Sequence, residues 1–207
     1  MSRVKICGIN TPAARDAARG ADWLGFVFFP PSPRAVTPAA AAALAAGVPA
    51  RVGLFVRPTD DDVAAVLAAV PLDVLQLYDS PARCAALRVR FGVPVWRAIG
   101  VAAASDLPSG TEGVDGFVIE AKPPAGASRP GGNAATFDWS ILRDWRAPLP
   151  WLLAGGLTPD NVAAAIRATG APAVDVSSGV ERERGTKDPE LIRAFLAAAK
   201  PPPEHAR

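Results

Sequence analysis

Eight short runs of apolar and β-branched residues recur along the 207-residue chain, and most segments between them are alanine-rich with helical periodicity. The apolar runs are nearly continuous rather than alternating, which is typical of parallel strands covered by helices on both faces. We therefore expect a strand–helix unit repeated eight times. The runs begin 19 to 35 residues apart, at Val4, Trp23, Arg51, Val74, Val95, Gly116, Trp151 and Ala173.

Eight strand–helix units close most naturally into an α/β fold of the (β/α)8 TIM-barrel type. The chain is short for this fold, and the Pro and Gly residues between Ala102 and Asp115 predict a trimmed helix between strands 5 and 6. An open doubly wound sheet is the alternative. No linker-like segment divides the chain, so we expect one barrel domain over residues 1–200 and a disordered tail over residues 201–207.

Charge and hydropathy limit the classes of partner. The formal net charge is only +2, and the Lys and Arg residues are scattered, so nothing indicates a nucleic-acid track. The longest alanine-rich apolar run, residues 39–48, is far shorter than the roughly 20 residues that span a bilayer. The N-terminus does not have the pattern of a secretion signal. We expect a cytoplasmic protein, monomer or homodimer, that binds a small molecule and neither nucleic acid nor membrane.

Histidine usage limits the chemistry. The single histidine, His205, follows a Pro-rich helix end in the C-terminal tail. Unless that tail folds back, the chain lacks a Ser/His/Asp triad, a Cys/His pair and a His-based zinc site. The reaction must therefore use carboxylates, thiols, Lys or Tyr.

In a β/α barrel, the active site is built at the carboxyl ends of the strands. Two glycine turns occupy such ends after strands 7 and 8, and this pair of positions recurs as a phosphate site in the fold. We therefore expect phosphate binding at Gly155, Gly156, Ser178 and Gly179. Other polar residues at strand ends or in the following loops are Lys5, Cys7, Arg34, Gln76, Tyr78, Glu120, Lys122 and Asp175.

Cys7 is the more interesting of the two cysteines. A free cysteine is most often a small buried apolar residue, and Cys84, within a helical stretch, is interpreted in that way. Cys7 instead ends strand 1, with Lys5 two residues back on the same face of the strand. We expect the Lys5 charge to lower the pKa of the Cys7 thiol.

Three charged positions allow more than one interpretation. Glu120 could pair with Lys122, or its burial could raise its pKa and make it a general acid. Arg34 could be a solvated loop charge, or its planar fork could bind a substrate carboxylate. Residues 181–184 alternate in sign and are interpreted as a solvated loop face.

Several sequence motifs along the chain together resemble those of one known family. The most specific are KICG, SPR, GGLTPDNV and DVSSGVE, which jointly resemble the phosphoribosylanthranilate isomerases of tryptophan biosynthesis over the full chain. The complete set is VKICGIN at Val4, GADWLGFVFFPPSPR at Gly20, VGLFV at Val52, LQL at Leu75, AKPP at Ala121, RPGGN at Arg129, FDW at Phe137, LAGGLTPDNV at Leu153 and DVSSGVE at Asp175.

This resemblance implies an Amadori rearrangement of N-(5'-phosphoribosyl)anthranilate to carboxyphenylamino-deoxyribulose phosphate, with no cofactor and no metal. It implies Glu120 as the general acid that opens the ring and Cys7 as the base that takes the C2' proton. Arg34 would bind the anthranilate carboxylate and Asp175 the sugar hydroxyls, and Gln76 is assigned to substrate binding. The backbone amides of both glycine turns would bind the phosphate.

Three positions depart from the family pattern. Glu120 stands where the family has Asp, Tyr78 where LQL is usually followed by His, and Ala134 where RPGGN is usually followed by Gly. The first two changes support an alternative, a divergent paralogue that binds a phosphorylated metabolite with low or altered activity. Indole-glycerol-phosphate synthase is disfavoured because the chain begins directly at strand 1, and triose-phosphate isomerase because the active-site histidine is missing.

Overall fold

A computed structural model describes residues 2–122 and 136–200 of the chain. Within them, eight parallel strands form a closed barrel in chain order, and six α-helices and a short hairpin complete the fold. The barrel strands are β1 (Arg3–Cys7), β2 (Trp23–Val27), β3 (Arg51–Val56), β4 (Val74–Tyr78), β5 (Val95–Val101), β6 (Gly116–Ala121), β7 (Trp151–Leu153) and β8 (Ala173–Val176). The helices are α1 (Pro12–Ala17), α2 (Pro38–Ala45), α3 (Asp60–Ala69), α4 (Pro81–Phe91), α5 (Val162–Thr169) and α6 (Pro189–Ala199).

The predicted strands are confirmed, and only β1 begins one residue earlier than expected. Closure is shown by the pairing of the first strand with the last, in which Val4 lies opposite Val174. The open doubly wound alternative is therefore wrong, because such a sheet would leave its two edge strands unpaired. The same register places Lys5 opposite Asp175.

Local sequence explains where most helices begin. Four of the described helices start at a dipeptide of Ser, Thr or Asp followed by Pro, in which the polar side chain accepts a hydrogen bond from a backbone N–H of the first turn. Thr59 caps α3 in the same way, with Asp62 completing a capping box. Gly92 and Gly170 end α4 and α5 in the left-handed conformation that glycine adopts most easily.

The connection between β5 and β6 is short, as predicted, and its described helical element is a single 3₁₀ turn, Ala104–Asp106. Another 3₁₀ turn, Trp139–Leu142, precedes β7. Ala134 and the RPGGN motif lie outside the described residues, as do His205 and the tail. The expectation of one domain over residues 1–200 stays a prediction. None of the described helices has the length and apolarity needed to cross a membrane.

The barrel interior is layered. Strand residues alternate between the helix-facing side and the interior, so each strand contributes every second residue to the inside. Lower in the barrel, the interior is a buried apolar cluster that includes Trp23, Val52, Val74, Ala98, Val118, Leu152 and Ala173. Toward the carboxyl ends of the strands, the buried interior side chains include four polar ones: Lys5, Gln76, Glu120 and Asp175. The polar layer therefore lies at the carboxyl ends of the strands, where the site was expected.

Candidate active site

A pocket opens at the carboxyl ends of the strands and contains about 790 Å³ of empty space, including space open to solvent. Its apolar wall includes Val27, Leu54 and Val56. Tyr78 contributes a phenol to the same pocket. The structure brings together in it all nine residues that the sequence assigned to the site: Cys7, Arg34, Gln76, Glu120, Gly155, Gly156, Asp175, Ser178 and Gly179.

Lys5 and Asp175 form a buried ion pair across the β1–β8 seam. Lys5 Nζ lies 2.9 Å from both carboxylate oxygens of Asp175, and the Lys5 side chain is fully buried. Burial acts to lower the pKa of Lys5, but the charges of Asp175 and Cys7 and the hydrogen bonds to both side chains together outweigh it, and the pKa is raised. Lys5 is therefore a fixed positive charge, and Asp175 lines the pocket as its anionic partner.

The Cys7 thiol is buried beside this ion pair. Burial raises the pKa of Cys7, and the nearby positive charges of Lys5 and Lys187 lower it without cancelling the effect of burial. Lys5 does lower the pKa of the thiol, as expected. The expectation of a thiol more acidic than usual is nevertheless wrong, because the net shift of the Cys7 pKa is upward. Without substrate, Cys7 is a protonated thiol at neutral pH.

Gly25 is a site residue that sequence reasoning missed. It lies opposite Cys7 in the β1–β2 ladder. A Cβ at this position would lie 3.0 Å from Cys7 Sγ and 3.2 Å from Lys5 Cε. The missing side chain therefore makes room for the thiol and the lysine stem, and the glycine within the apolar run was the only signal in the sequence.

Glu120 is the second-last residue of β6 and lines the pocket. Burial raises its pKa to about 8, while its interaction with the Tyr78 hydroxyl acts in the opposite direction. Its Oε1 is buried and has no hydrogen-bond partner among the described residues. Lys122 is exposed, and no ion pair with Glu120 is found in the described part of the chain, so the structural ion-pair interpretation is wrong. Glu120 is therefore protonated at neutral pH and lines the pocket.

Gln76 and Tyr78 extend the polar wall from β4. Gln76 is buried, and its Oε1 lacks a hydrogen-bond partner in residues 2–122 and 136–200. Burial raises the pKa of Tyr78 well above its ordinary value, and the neighbouring Glu120 carboxyl raises it further. Tyr78 therefore stays a neutral phenol, and the buried acceptors of Gln76 and Glu120 are available to a ligand.

The two glycine turns meet at one side of the pocket. Gly155 and Gly156 have φ values of 86° and 61°, which lie in the left-handed region that glycine adopts without strain. Gly179 lies directly against the first turn, since a Cβ there would be 1.8 Å from the Leu157 carbonyl oxygen. The turns therefore pack closer than any side chain would allow.

Asn161 holds the first turn in shape and is a second residue that sequence reasoning missed. Its Oδ1 accepts a hydrogen bond from the Thr158 N–H at 2.8 Å, and its Nδ2 donates to the Gly156 carbonyl at 2.9 Å. Both bonds are made with backbone groups of its own loop. The signal in the sequence was the Thr-Pro-Asp-Asn run that leads into α5.

Arg34 is tied to Glu181 by a bidentate ion pair. Its Nε and Nη2 lie 2.6 and 2.8 Å from the two carboxylate oxygens of Glu181, and both side chains are 4% exposed. Glu181 begins β9 (Glu181–Glu183), which pairs with β10 (Thr186–Lys187) in an antiparallel hairpin. The interpretation of residues 181–184 as a solvated face is therefore wrong for Glu181 and correct for the exposed residues 182–184.

Lys187 is the second partner of Glu181. Its buried Nζ lies 2.8 Å from Glu181 Oε1 and donates to the Ser177 carbonyl at 2.8 Å. Burial would raise the pKa of Glu181, but the hydrogen bonds from Arg34 and Lys187 and the Lys187 charge lower it to about 2. Glu181 is therefore ionised at every working pH.

Two further expectations concern the rest of the molecule. Cys84 is fully buried in α4, as predicted, where burial raises its pKa to about 11. Both cysteines are free thiols. In the portion of the chain described here, no group of three or more His, Cys, Asp or Glu side chains is arranged to hold a metal ion.

Comparison of the sequence with known proteins points to one family. Residues 4–198 match the family model described as N-(5'-phosphoribosyl)anthranilate (PRA) isomerase. The N-(5'-phosphoribosyl)anthranilate isomerase of Acidiphilium cryptum is 60% identical over 96% of this chain and 98% of its own length.

Solved structures agree with the sequence match. TrpF from Jonesia denitrificans superposes with a TM-score of 0.81 and 36% identity, covering 96% of this chain and 97% of its own. A phosphoribosyl anthranilate isomerase solved with reduced 1-(o-carboxyphenylamino)-1-deoxyribulose 5-phosphate gives a TM-score of 0.77 at 32% identity, covering 96% and 98%. The chain belongs to the phosphoribosylanthranilate isomerase family.

Proposed function

We propose that this protein converts N-(5'-phosphoribosyl)anthranilate into 1-(2-carboxyphenylamino)-1-deoxyribulose 5-phosphate in tryptophan biosynthesis. The supporting observation is that one pocket contains a buried thiol, a protonated carboxyl and two abutting glycine turns. The rearrangement moves hydrogen within one molecule and requires an acid and a base, without net oxidation. The side chains of the pocket supply both.

Glu120 is proposed as the general acid. Because its pKa of about 8 keeps the carboxyl protonated at neutral pH, it has a proton to donate. Transfer of that proton to the furanose ring oxygen breaks the C1'–O bond, and the nitrogen lone pair forms the C1'=N bond of a protonated Schiff base. The unpartnered Oε1 is consistent with a group that completes its hydrogen bonds only when substrate is bound.

Cys7 is proposed as the base for the C2' proton. The Schiff base is cationic and would lie in the pocket beside Cys7, so its formation favours the thiolate. As Cys7 takes the proton, the C2'–H electron pair forms the C1'=C2' bond and the C1'=N pair returns to nitrogen. The resulting enolamine then tautomerises to the ketone. Lys5 and Lys187 contribute further positive charge that stabilises the thiolate.

The remaining residues are proposed to bind the substrate. Backbone N–H groups of the two glycine turns would bind the phosphate, since close glycine backbones leave amides accessible to an anion. Asp175 and Gln76 would accept hydrogen bonds from sugar hydroxyls. Arg34 would bind the anthranilate carboxylate. Both cysteines are free thiols, which supports a cytoplasmic location.

Rescue of a tryptophan auxotroph that lacks this isomerase tests the proposal. We expect the expressed protein to restore growth and the purified protein to turn over the substrate without added cofactor. A well-expressed protein that neither rescues nor turns over the substrate would contradict it.

The pH dependence of kcat/KM tests the assignment of acid and base. The active form requires Glu120 protonated, with a pKa of about 8, and Cys7 ionised, with a pKa above its ordinary value of 9.0. We therefore expect kcat/KM to rise with pH up to about 8, level off, and fall only above the pKa of Cys7. A profile already flat between pH 6 and pH 8 would rule out this pairing.

The second candidate function is a paralogue that binds a phosphorylated metabolite with low or altered activity. The observation that favours it is the Tyr78 phenol, which lines the pocket and interacts with the Glu120 carboxyl. Glu120→Asp distinguishes the two functions. An active wild type, with the Asp variant changed only in rate, favours the isomerase. Inactivity of both proteins with retained binding of phosphate esters favours the paralogue.

A further inference from the structure

The guanidinium of Arg34 has two edges that can each bind a carboxylate with two parallel hydrogen bonds, Nε with Nη2 and Nη1 with Nη2. Glu181 occupies the first edge. Nη1 donates no hydrogen bond to any residue of the described ranges, and Arg34 lines the pocket. The second edge is therefore available to a ligand, although the side chain is almost entirely buried.

Glu181 is itself fixed on three sides. Its Oε1 accepts from Lys187 Nζ at 2.8 Å, and its Oε2 accepts from the Gly185 N–H at 3.0 Å, in addition to the two bonds from Arg34. Lys187 is anchored in turn to the carbonyl of Ser177, which follows β8. The carboxylate that holds Arg34 therefore has no freedom to rotate.

The hairpin that carries Glu181 is docked against two loops at the mouth of the barrel. Asn10 Nδ2 donates to the Gly185 carbonyl at 3.0 Å, which joins the hairpin to the β1–α1 loop. A Cβ at Gly185 would lie 2.8 Å from the Pro33 carbonyl oxygen, so the hairpin also touches the β2–α2 loop. On the other side, a Cβ at Gly8 would lie 2.8 Å from Arg34 Cδ. The arginine stem is enclosed by backbone.

The charges of this group are also suited to anion binding. Arg34, Lys187 and Glu181 together carry one net positive charge in a buried environment. Burying an arginine without a counterion costs free energy. An arginine whose charge is fully neutralised by one carboxylate would attract the carboxylate of a ligand only weakly. The positive charge of Lys187 offsets the negative charge of Glu181, so the charge of Arg34 remains available to a ligand.

We infer that Glu181 is a positioning residue, which holds Arg34 by one guanidinium edge so that the other edge meets the carboxylate of the substrate. The inference rests on the proposed function. It assigns recognition of the anthranilate carboxylate to a pair of residues from loops 147 positions apart rather than to Arg34 alone. Selection for substrates that carry this carboxylate then depends on the β9–β10 hairpin.

The test compares the wild type with Glu181→Gln on two substrates, N-(5'-phosphoribosyl)anthranilate and its aniline counterpart, which lacks the ring carboxylate. The Gln side chain keeps the size of Glu but presents an N–H₂ to a donor. We expect KM for the carboxylated substrate to rise about tenfold with kcat within about threefold, because ground-state binding is lost. KM for the aniline substrate should not change.

The matched control is Glu112→Gln, which weakens another largely buried ion pair, with Arg97, away from the pocket. It should leave KM unchanged for both substrates. Melting temperatures of all variants separate loss of fold from loss of recognition. If Glu181→Gln does not fold, Glu181→Asp should show the same selective rise in KM, since it keeps the charge but shortens the reach.

An equal loss on both substrates, or no change in KM, would overturn the positioning role. Failure of the proposed function has a different signature, because the wild type would then turn over neither substrate. Binding of unreactive reduced products, with and without the ring carboxylate, then gives the same comparison by calorimetry. Loss of discrimination between them in Glu181→Gln supports the inference, and unchanged discrimination contradicts it.

Discussion

The pocket and the charged residues that support it come from two regions that differ in origin and in electrostatics. One half comes from strand interiors and contains Lys5, Cys7, Glu120 and Asp175. The other half comes from loops and contains the glycine turns and the Arg34–Glu181–Lys187 group. Burial raises the pKa of Cys7 and Glu120 in the strand half, whereas ion pairing lowers that of Glu181 to about 2 in the loop half.

The difference separates chemistry from recognition. A group that must gain or lose a proton depends on an environment that shifts its pKa, and burial moves the pKa of Glu120 into the working pH range. At Cys7 burial acts in the unhelpful direction, and the positive charges of Lys5 and Lys187 act against it. A group that binds an anion must stay charged, so loop residues with compensating partners suit that task. Changes at Cys7 and Glu120 in the strand half should therefore act on kcat, and changes in the loop half on KM.

The largest effect is expected in the strand half. Cys7→Ala removes the proposed base, and we expect kcat to fall about a thousandfold with the fold retained, as judged by circular dichroism. Cys84→Ala is the control, since that buried thiol lies in α4 and should cost stability but little activity. Turnover by Cys7→Ala at the wild-type rate would remove Cys7 from the mechanism.

An intermediate effect is expected in the loop half. Gly179→Ala would place a Cβ 1.8 Å from the Leu157 carbonyl, so the two glycine turns must separate. We expect KM to rise about tenfold and the free energy of unfolding to fall by about 1–3 kcal/mol.

Gly110→Ala is the matched control, since a Cβ at that exposed glycine would meet no atom within 4 Å. Steady-state kinetics and denaturant unfolding measure both variants. A lower kcat with unchanged KM in Gly179→Ala would erase the distinction between the two halves.

A third effect concerns stability rather than turnover, through its dependence on pH. Glu120 has a folded-state pKa of about 8 against an ordinary value of 4.5, so the folded protein binds the extra proton between these values. Stability contributed by the protonated carboxyl is complete below about pH 4.5 and is lost as pH rises toward 8, by about 1.4 kcal/mol per pH unit.

Glu120→Gln removes this dependence, because the amide does not titrate. The variant should therefore gain stability relative to the wild type as pH rises from 5 to 8, measured by urea unfolding at each pH. Parallel stability curves for the two proteins would show that Glu120 titrates normally.

Much of the strand half was predictable from sequence. The apolar runs placed all eight strands, and the period of two along each strand put Cys7 and Lys5 on one face. The glycine turns were predictable because the barrel brings successive strand ends together. The net pKa shift of Cys7 could not be predicted from sequence, because it depends on how completely the folded protein excludes water from the thiol.

The loop half shows what only the tertiary structure decided. Glu181 ends the DVSSGVE motif and begins a run of alternating charges, and neither feature shows that it is buried while Arg182 and Glu183 are exposed. Its burial follows from pairing with Arg34, 147 residues away. By itself, the sequence determined the barrel, nine of the residues that line the pocket and the family. Which charges are paired, and which edge of Arg34 remains open, was decided by the fold, because ion pairs between distant loops leave no periodic pattern in the chain.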